Sequence, residues 1–226
     1  MAEHETKFVF PAVQSMPLIN WLLSRCVEDG DYPRGVISSV YYDTLAWNFL
    51  AEKNNSDFLK TKFRLRWYQD TGYSNYSAMA YFEKKRKIGS SREKMRVEVP
   101  LDDAVKKARY LNDPYFIELP GKVYSQSLPP ERSILPAFQI SYVRHRFVEP
   151  LSGARLAVDS EIHVPRINPM MVKRSWKAPL NVGVFEFKSS SMDLPDRLHG
   201  ITLFGCRKGS FSKYSNCFEH ITGLTA

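Results

Sequence analysis

The chain has 226 residues, 43% hydrophobic and 25% charged, a composition that excludes disordered and collagen-like proteins and allows a substantial buried core. Lysine and arginine number 32 against 24 aspartates and glutamates, and the formal net charge of +8 points to anionic partners such as phosphates, nucleic acid or a membrane surface. The longest run without a charged residue, 8–24, contains two prolines and is shorter than the roughly 20 apolar residues of a membrane-spanning helix.

Three helices are predicted from apolar spacing and from residues that favour helix ends. Ser15 can cap a helix over 16–26, and two aspartates near the start of 101–111 favour a second helix. A third helical piece follows Pro195. Most of the remaining chain has the β-branched and aromatic composition of strands. The predicted strands are residues 36–42, 58–68, 79–87, 94–99, 137–148, 155–162 and 182–187.

Turn-forming residues between neighbouring predicted strands favour an antiparallel sheet. They lie at 70–72, 89–91 and 152–153 and indicate short hairpin connections. No repeat of solenoid length and no long linker interrupts the pattern. We therefore expect a single domain over 1–226 of the α+β class, mainly antiparallel β.

Charged and apolar residues alternate along several predicted strands. Lys62, Arg64 and Arg66 share one face of their strand, opposite an apolar face. Four further strands also carry charged residues along one face. These are Glu83, Lys85 and Lys87; Arg144 and Arg146 with Tyr142; Arg155, Asp159 and Glu161 with Ala157; and Glu186 and Lys188.

Two arrangements fit this alternation. A half-buried antiparallel strand usually turns its polar side to solvent. A closed barrel would instead turn the charged faces into its lumen and leave the apolar faces outside, under the helices. Because five strands carry Arg, Lys and Glu with little Ser, Thr or Gln, we expect a closed β-barrel tunnel with a polar, basic lumen flanked by helices. The basic side chains that line such a lumen would repel one another unless acidic residues and a polyanion neutralised their charge.

Several classes of protein lack support in the sequence. The chain has no P-loop, no G-x-G-x-x-G and no H-E-x-x-H motif. Its three cysteines have no C-x-x-C spacing, so neither a disulfide framework nor a zinc knuckle is indicated. Glu3 and Glu5 stand where a secretory signal would carry lysine or arginine, so we expect a cytoplasmic location.

Short motifs follow one another in a distinctive order. The amino terminus spells E-x-E-x-K at 3–7, which on a strand places two carboxylates and an ammonium on one face. The later motifs are YYDT at 41–44, FRLRWY at 63–68, FEKKRK at 82–87, YVRHRF at 142–147, RLAVDSE at 155–161, VFEFK at 184–188 and FSKY at 211–214.

This ordered set resembles the VTC domain, the polyphosphate-polymerising catalytic domain of the vacuolar transporter chaperone complex and its bacterial relatives. The resemblance runs from about Lys7 to about Asn216. VTC domains belong to the triphosphate tunnel metalloenzymes, together with the CYTH-type triphosphatases that share the E-x-E-x-K opening. The resemblance implies a basic tunnel that holds ATP, inorganic triphosphate or a growing polyphosphate chain, together with Mn²⁺ or Mg²⁺ held by glutamate.

Individual site residues follow from the same resemblance. It implies that Glu186 is catalytic and holds the metal, with Glu5 as a second candidate for the metal or for positioning water. The implied catalytic and phosphate-binding residues are Lys7, Arg64, Arg66, Lys85, Arg144, Arg155 and Lys213.

The chemistry of these residue types agrees with that assignment. Lys and Arg at close range offset the desolvation of a triphosphate, and Arg can bind phosphate oxygens in a bidentate manner. Phosphoryl transfer needs positioning and charge stabilisation more than covalent help. Mn²⁺ and Mg²⁺ prefer carboxylate and phosphate oxygens, so Glu186 can anchor the ion while the substrate supplies other ligands.

The sequence is consistent with three functions. The leading hypothesis is a metal-dependent polyphosphate polymerase that moves the γ-phosphate of ATP onto a polyphosphate chain; Lys188 after Glu186 resembles VTC proteins and favours transfer over hydrolysis. The second is a triphosphatase that uses the same tunnel with water as acceptor. The third is a non-catalytic polyphosphate or nucleic-acid binding protein, suggested by seven Lys or Arg within 84–96. Nucleic acid is the less favoured partner because no recognition helix is recognisable.

Overall fold

The computed structural model describes residues 4–55, 57–72, 75–89, 91–124, 133–173, 178–191 and 193–224. Glu3 of the first motif and Ser90 of the second predicted turn lie outside these ranges. The strands are β1 (His4–Pro11), β2 (Val27–Glu28), β3 (Arg34–Asp43), β4 (Leu59–Gln69), β5 (Met79–Ile88), β6 (Ser91–Pro100), β7 (Leu135–Val148), β8 (Arg155–His163), β9 (Val182–Ser189) and β10 (Arg207–Lys208). The α-helices are α1 (Ser15–Leu23), α2 (Asn48–Asn54), α3 (Asp103–Lys107), α4 (Pro114–Tyr124) and α5 (Lys213–Thr222).

The strands pair in the order β10-β1-β9-β8-β7-β3-β4-β5-β6, and β2 pairs with β7. Every pairing is antiparallel, so the predicted α+β class with a mainly antiparallel sheet is confirmed. The predicted closure into a barrel is wrong, because within the described ranges no ladder joins β10 to β6. Two features oppose such a ladder: β10 has two residues, and the outer edge of β6 is highly charged, which disfavours strand pairing.

All seven predicted strands are present, and their ends differ from the predictions by at most three residues. The helix predictions were less accurate. The helix predicted at 101–111 shortens to α3, because Arg166 Nη1 donates to the carbonyls of Val105 and Ala108 and the Leu111 amide bonds Ile167 O. The piece after Pro195 is a 3-10 helix, Asp196–Phe204, and α2, α4 and α5 were not predicted.

The first helix begins in a different way from the prediction. Ser15 lies inside α1, after a 3-10 turn at Ala12–Gln14, and its hydroxyl donates to the Ala12 carbonyl at 2.7 Å. It therefore does not cap the helix by accepting an amide hydrogen bond. Among the described helices, none is both long and apolar enough to cross a bilayer.

Helices cover the apolar outer face of the sheet in two places. Phe116 and Leu119 of α4 pack with Trp67 of β4 on one side. On the other side, Leu18 and Leu22 of α1 pack in the cluster that contains the apolar residues of β9. This arrangement confirms the expectation that the apolar faces lie under helices.

Helix α5 packs on the opposite face of the sheet, the face that carries the alternating charges. Its Tyr214 ring stacks on Tyr41 of β3 at 4.9 Å and on Phe138 of β7 at 5.1 Å, and its hydroxyl donates to Asp43 Oδ2 at 2.7 Å. The α5 residues Cys217, Phe218 and Ile221 complete this packing and belong to the same buried cluster. The helix therefore fills one part of the inner face and leaves the charged part open.

The alternation is interrupted near the end of β8. Glu161 has a φ of 54°, and the pairing with β7 shifts between Ser141 and Val143, which marks a β-bulge. Glu161 is exposed as a result. The predicted two-residue alternation therefore ends at Glu161, because a bulge adds a residue and reverses the side-chain direction beyond it, and Ile162 joins the buried cluster that contains Tyr142.

Candidate functional site

A buried cluster of four charged residues lies where β7, β8 and β9 meet the start of α5. Arg144 donates from Nε to Asp159 Oδ1 at 2.6 Å, and from Nη2 to Asp159 Oδ2 at 2.7 Å and Glu186 Oε2 at 2.9 Å. Lys213 Nζ contacts Asp159 Oδ2 and lies 3.6 Å from Glu186 Oε1. Asp159 is fully buried, and the other three side chains are at most 15% exposed.

Strand register and helix capping bring these side chains together. Arg144 and Asp159 are direct cross-strand partners. Lys213 is the first residue of α5, whose start is marked by the Ser212 hydroxyl accepting the Ser215 amide. Because the Tyr214 hydroxyl bonds Asp43, the helix is held in the orientation that aims Lys213 at the cluster.

Both carboxylates of the cluster remain ionised at neutral pH. Burial raises their pKa values, but Arg144 and Lys213 outweigh it and hold the pKa of Asp159 and of Glu186 below the usual range. Two cations and two anions therefore balance one another. Asp159 was not among the predicted site residues, although the R-x-x-x-D spacing placed it on the same face as Arg155.

We expect Asp159→Asn to lower the free energy of unfolding by about 3 kcal/mol, because it removes the buried carboxylate that Arg144 and Lys213 share. Urea unfolding measures this loss. The matched control is Asp103→Asn, whose exposed carboxylate pairs only at the surface and should leave the midpoint nearly unchanged. Equal midpoints for the wild type and Asp159→Asn would show that the cluster does not stabilise the fold.

Lys7 of β1 connects the buried cluster to a more exposed pair. Its Nζ lies 3.8 Å from Glu186 Oε1 and 3.2 Å from Glu5 Oε1, and Lys188 Nζ lies 3.6 Å from Glu5 Oε2. The register explains these contacts, since Lys7 pairs with Glu186 and Glu5 pairs with Lys188 across β1 and β9. Charges of opposite sign therefore alternate in this region.

A second group of charges lies on β4, β5 and β6. Arg64 Nε donates to Glu83 Oε2 at 2.6 Å, and Lys94 Nζ lies 3.0 Å from Glu83 Oε1. Burial raises the pKa of Glu83, but Arg64 and Arg66 outweigh it and lower that pKa to about 2. Glu83 is thus a permanent anion that orients Arg64, a role that sequence reasoning missed although Glu83 was placed on the charged face.

Tyr41 is a further residue of this region that the sequence did not identify as functional. It is the cross-strand partner of Arg64, and Arg66 Nε donates to the hydroxyl of Ser39 at 3.1 Å on the same two strands. Burial raises the pKa of Tyr41, but Arg64, Arg66 and Lys62 lower it to about 8. The pKa shift reports an excess of positive charge around the phenol.

Two rows of cations cross β4, β5 and β6 without a carboxylate directly opposite any of them. The cationic rows are Lys62–Lys85–Lys94 and Lys60–Lys87–Arg92. Like charges directly opposite each other destabilise a sheet. Lys94 is paired with Glu83, which lies two residues before Lys85 on β5, and the fold maintains a strip of closely spaced positive charges on this face.

The cationic rows border a cavity of about 650 Å³, here called the larger cavity. It is lined by nine lysines and arginines and two glutamates, from β1, α2, β4, β5, β6 and residues 209–212. Strands β1 and β6 lie near opposite ends of the strand order but line the same cavity, so the sheet curves towards itself. A concave, basic surface results, although no hydrogen-bonded ladder closes the sheet in the part of the chain that the structure describes.

The smaller cavity, of about 260 Å³, adjoins the buried cluster. Arg144, Arg155, Glu186 and Lys188 line it, together with residues of the loop between β2 and β3. Lys7 lines the larger cavity and contacts Glu186, which lines the smaller one. The two cavities therefore lie on either side of the Lys7–Glu186 contact.

The predicted site residues all occupy the inner face or the start of α5. Arg64, Arg66, Arg144, Glu186 and Lys213 are at least partly buried there. Lys85 and Arg155 are exposed, each lining one of the two cavities. The complete set is Glu5, Lys7, Arg64, Arg66, Lys85, Arg144, Arg155, Glu186 and Lys213.

A divalent cation fits this site as an ion that binds together with phosphate. Across the described ranges, no three His, Cys, Asp or Glu side chains converge as a metal cage would require. Glu186 and Glu5 offer two carboxylates that both contact Lys7. Mg²⁺ commonly binds through one or two carboxylates plus substrate phosphates and water, and this donor set suits that mode. Glu186 and Glu5 would hold the ion.

Comparison with known proteins places the chain in a family. A family model described as the VTC domain matches residues 2–221. No curated protein sequence shows significant similarity. A proposed adenylate cyclase from Bacillus halodurans is 13% identical, with a TM-score of 0.51 over 94% of this chain and 96% of that one. The PH1819 protein from Pyrococcus horikoshii OT3 is 12% identical, with a TM-score of 0.45 over 89% of this chain and 86% of that one. At such identities the likeness concerns the fold alone.

Proposed function

Because this chain belongs to the VTC domain family, we propose that it is a metal-dependent polyphosphate polymerase that transfers the γ-phosphate of ATP to a growing polyphosphate chain. The observation that carries the proposal is the pair of cationic rows, Lys62–Lys85–Lys94 and Lys60–Lys87–Arg92. Neighbouring strands lie about 4.8 Å apart, so these rows offer closely spaced cations to an extended anion. A linear polyphosphate would relieve their repulsion.

The proposed phosphate path runs along the inner face from the smaller to the larger cavity. The Lys7–Glu186 contact lies between the two cavities. We place the transferred phosphate near this contact, within reach of Arg144 and Lys213. The growing chain then lies along the cationic rows. This path requires a curved basic surface but no closed barrel.

The residues of the site would act by positioning and by charge. A terminal oxygen of the polyphosphate attacks the γ-phosphorus, the bond from this phosphorus to the bridging oxygen of the β-phosphate breaks, and ADP leaves with that electron pair. Arg64, Arg144 and Lys213 are already oriented by carboxylates, so they can stabilise the transferred charge with little reorganisation. Mn²⁺ or Mg²⁺ at Glu186 and Glu5 would add neutralisation of phosphate charge.

Incubation with ATP and Mn²⁺ tests the proposal when long-chain polyphosphate, orthophosphate and ADP are all quantified. A polymerase produces chains whose phosphate content matches the ADP released, and chelation of the metal stops both. Orthophosphate in place of chains would indicate the triphosphatase, with water as acceptor. Absence of ADP would indicate a binding protein.

We further propose that residues 1–226 form one domain and that the protein acts in the cytoplasm, where ATP is available.

Binding of tripolyphosphate at pH 8.5 should be accompanied by proton uptake by the protein. Lys85 is exposed where it lines the larger cavity. Partial desolvation of its ammonium group and then repulsion by Arg64 and Arg66 nevertheless lower its pKa to about 8, and the pKa of Tyr41 is also about 8. At pH 8.5 part of Lys85 is neutral and part of Tyr41 is ionised. A bound polyanion raises both pKa values, so both groups gain protons.

Calorimetric titrations in two buffers of different ionisation enthalpy measure this uptake. The uptake should be smaller in Lys85→Met and smaller still in Lys85→Met/Tyr41→Phe. The exposed Lys122→Met is the matched control, and the protons of the ligand itself contribute equally to every titration. The same uptake in the double variant and the wild type would contradict the placement of phosphate beside these groups.

A further inference from the structure

The two cavities differ in the groups that they offer to a ligand. The larger cavity is lined by Lys and Arg, and the aromatic ring among its lining residues, Phe211, is 9% exposed. The smaller cavity has Tyr32 among its lining residues, and this tyrosine is 71% exposed. An aromatic side chain this exposed beside a charged site is available as a stacking surface. The two ends of the phosphate path are therefore chemically unequal.

Hydrogen bonds to β7 hold the loop that carries Tyr32. The Asp29 amide donates to Arg146 O at 3.0 Å, and the Arg146 amide donates to Pro33 O at 2.8 Å. Arg146 Nη1 donates to the Tyr32 carbonyl at 2.9 Å, and the Tyr32 amide donates to Asp29 Oδ1 at 2.8 Å. Because its backbone is anchored on both sides, Tyr32 stays at the rim of the cavity without a ligand.

We propose that Tyr32 stacks on the base of the nucleoside triphosphate, so that the nucleotide occupies the smaller cavity and the phosphate chain extends into the larger one. The inference rests on the proposed function. Arg144 and Glu186 line the same cavity as Tyr32, which lets one ligand reach both the stacking surface and the transfer site. Arg146, Arg155 and Lys188 provide positive charge between them for the α- and β-phosphates.

Stacking on a tyrosine predicts weak discrimination between bases. Every base has a flat π face, and stacking on an aromatic side chain tolerates changes of base. ATP and GTP should therefore bind with similar affinity. Loss of the ring should weaken nucleotide binding about tenfold and leave tripolyphosphate binding unchanged, because tripolyphosphate has no base.

Isothermal titration of the full chain with the β,γ-imido analogue of ATP and with tripolyphosphate tests this inference without turnover. The variants are Tyr32→Ala, Tyr32→Phe, which keeps the ring, and Tyr110→Ala, which removes another exposed tyrosine outside both cavities. We expect about tenfold weaker binding of the analogue in Tyr32→Ala alone. Tripolyphosphate should bind equally to all four proteins.

Each other result overturns the stacking role. Unchanged affinity of Tyr32→Ala for the analogue places the base elsewhere. Equal losses for the analogue and tripolyphosphate would mean that Tyr32 contacts phosphate or shapes the cavity. A wild-type protein that binds tripolyphosphate but not the analogue has no nucleotide subsite at Tyr32. Failure of the polymerase assay does not affect this binding test, so the two proposals can fail separately.

Discussion

Glu186→Gln is expected to reduce Mn²⁺-dependent turnover of ATP by about 100-fold or more and to leave the fold intact. Glutamine keeps the size of the side chain but removes the negative charge that would hold a hard cation. The surrounding cluster should stay assembled but become less stable, because Asp159 still pairs with Arg144 and Lys213 while the second carboxylate that contacts both cations is lost. The rate of ADP release at saturating ATP and Mn²⁺ measures the effect.

Glu118→Gln is the matched control for this substitution. Glu118 lies on α4, is 57% exposed and pairs with Lys122 at 2.9 Å, so the change should leave turnover at the wild-type rate. Circular dichroism and urea unfolding of both variants distinguish a loss of catalytic activity from a loss of folded structure. A wild-type rate for Glu186→Gln with Mn²⁺ would exclude Glu186 as the metal ligand.

Arg64→Ala is expected to weaken tripolyphosphate binding at least about tenfold and to affect oligonucleotide binding much less. Arg64 is 12% exposed and already oriented by Glu83, so its guanidinium can bind phosphate with little further ordering. Closely spaced phosphates can engage Arg64 together with neighbouring cations. A nucleic-acid backbone spaces its charges further apart and carries bulky sugars and bases. Tripolyphosphate should also displace a labelled oligonucleotide at concentrations where orthophosphate does not.

Two further variants control this experiment. Arg64→Lys keeps the positive charge beside Glu83 and loses only the bidentate fork, so it should fold normally and bind tripolyphosphate with intermediate affinity. Arg109→Ala removes an exposed arginine that lines neither cavity on the inner face and should change nothing. Equal losses for tripolyphosphate and oligonucleotide in Arg64→Ala would favour a nucleic-acid binding module over the enzyme.

The alternation of charge identified the inner face because side chains on a strand repeat every two residues. Arg64, Arg144 and Glu186 could be placed on that face from the sequence alone. The alternation does not continue past Glu161, since a β-bulge depends on the pairing with β7 and leaves no local signal. The α4 helix was missed because Pro120 inside it reads as a helix breaker.

Helix α5 shows how a motif can be recognised while its structure is overlooked. Tyr214, Cys217, Phe218 and Ile221 follow helical spacing after Ser212, so the pattern was present in the sequence. The pattern does not indicate where the helix packs on the sheet. That position depends on Tyr214 stacking on Tyr41 and bonding Asp43, two residues more than 160 positions earlier in the chain.

By itself, the sequence determined the antiparallel strands, the charged face and the family, because side-chain direction, turn residues and ordered motifs are local properties. Tertiary structure alone decided that Asp159 and Glu83 orient the arginines and that no ladder of the described residues joins β10 to β6. It also decided that Tyr32 stands beside the buried cluster. These features depend on register and curvature, which bring together residues that are distant in the chain and which no local pattern encodes.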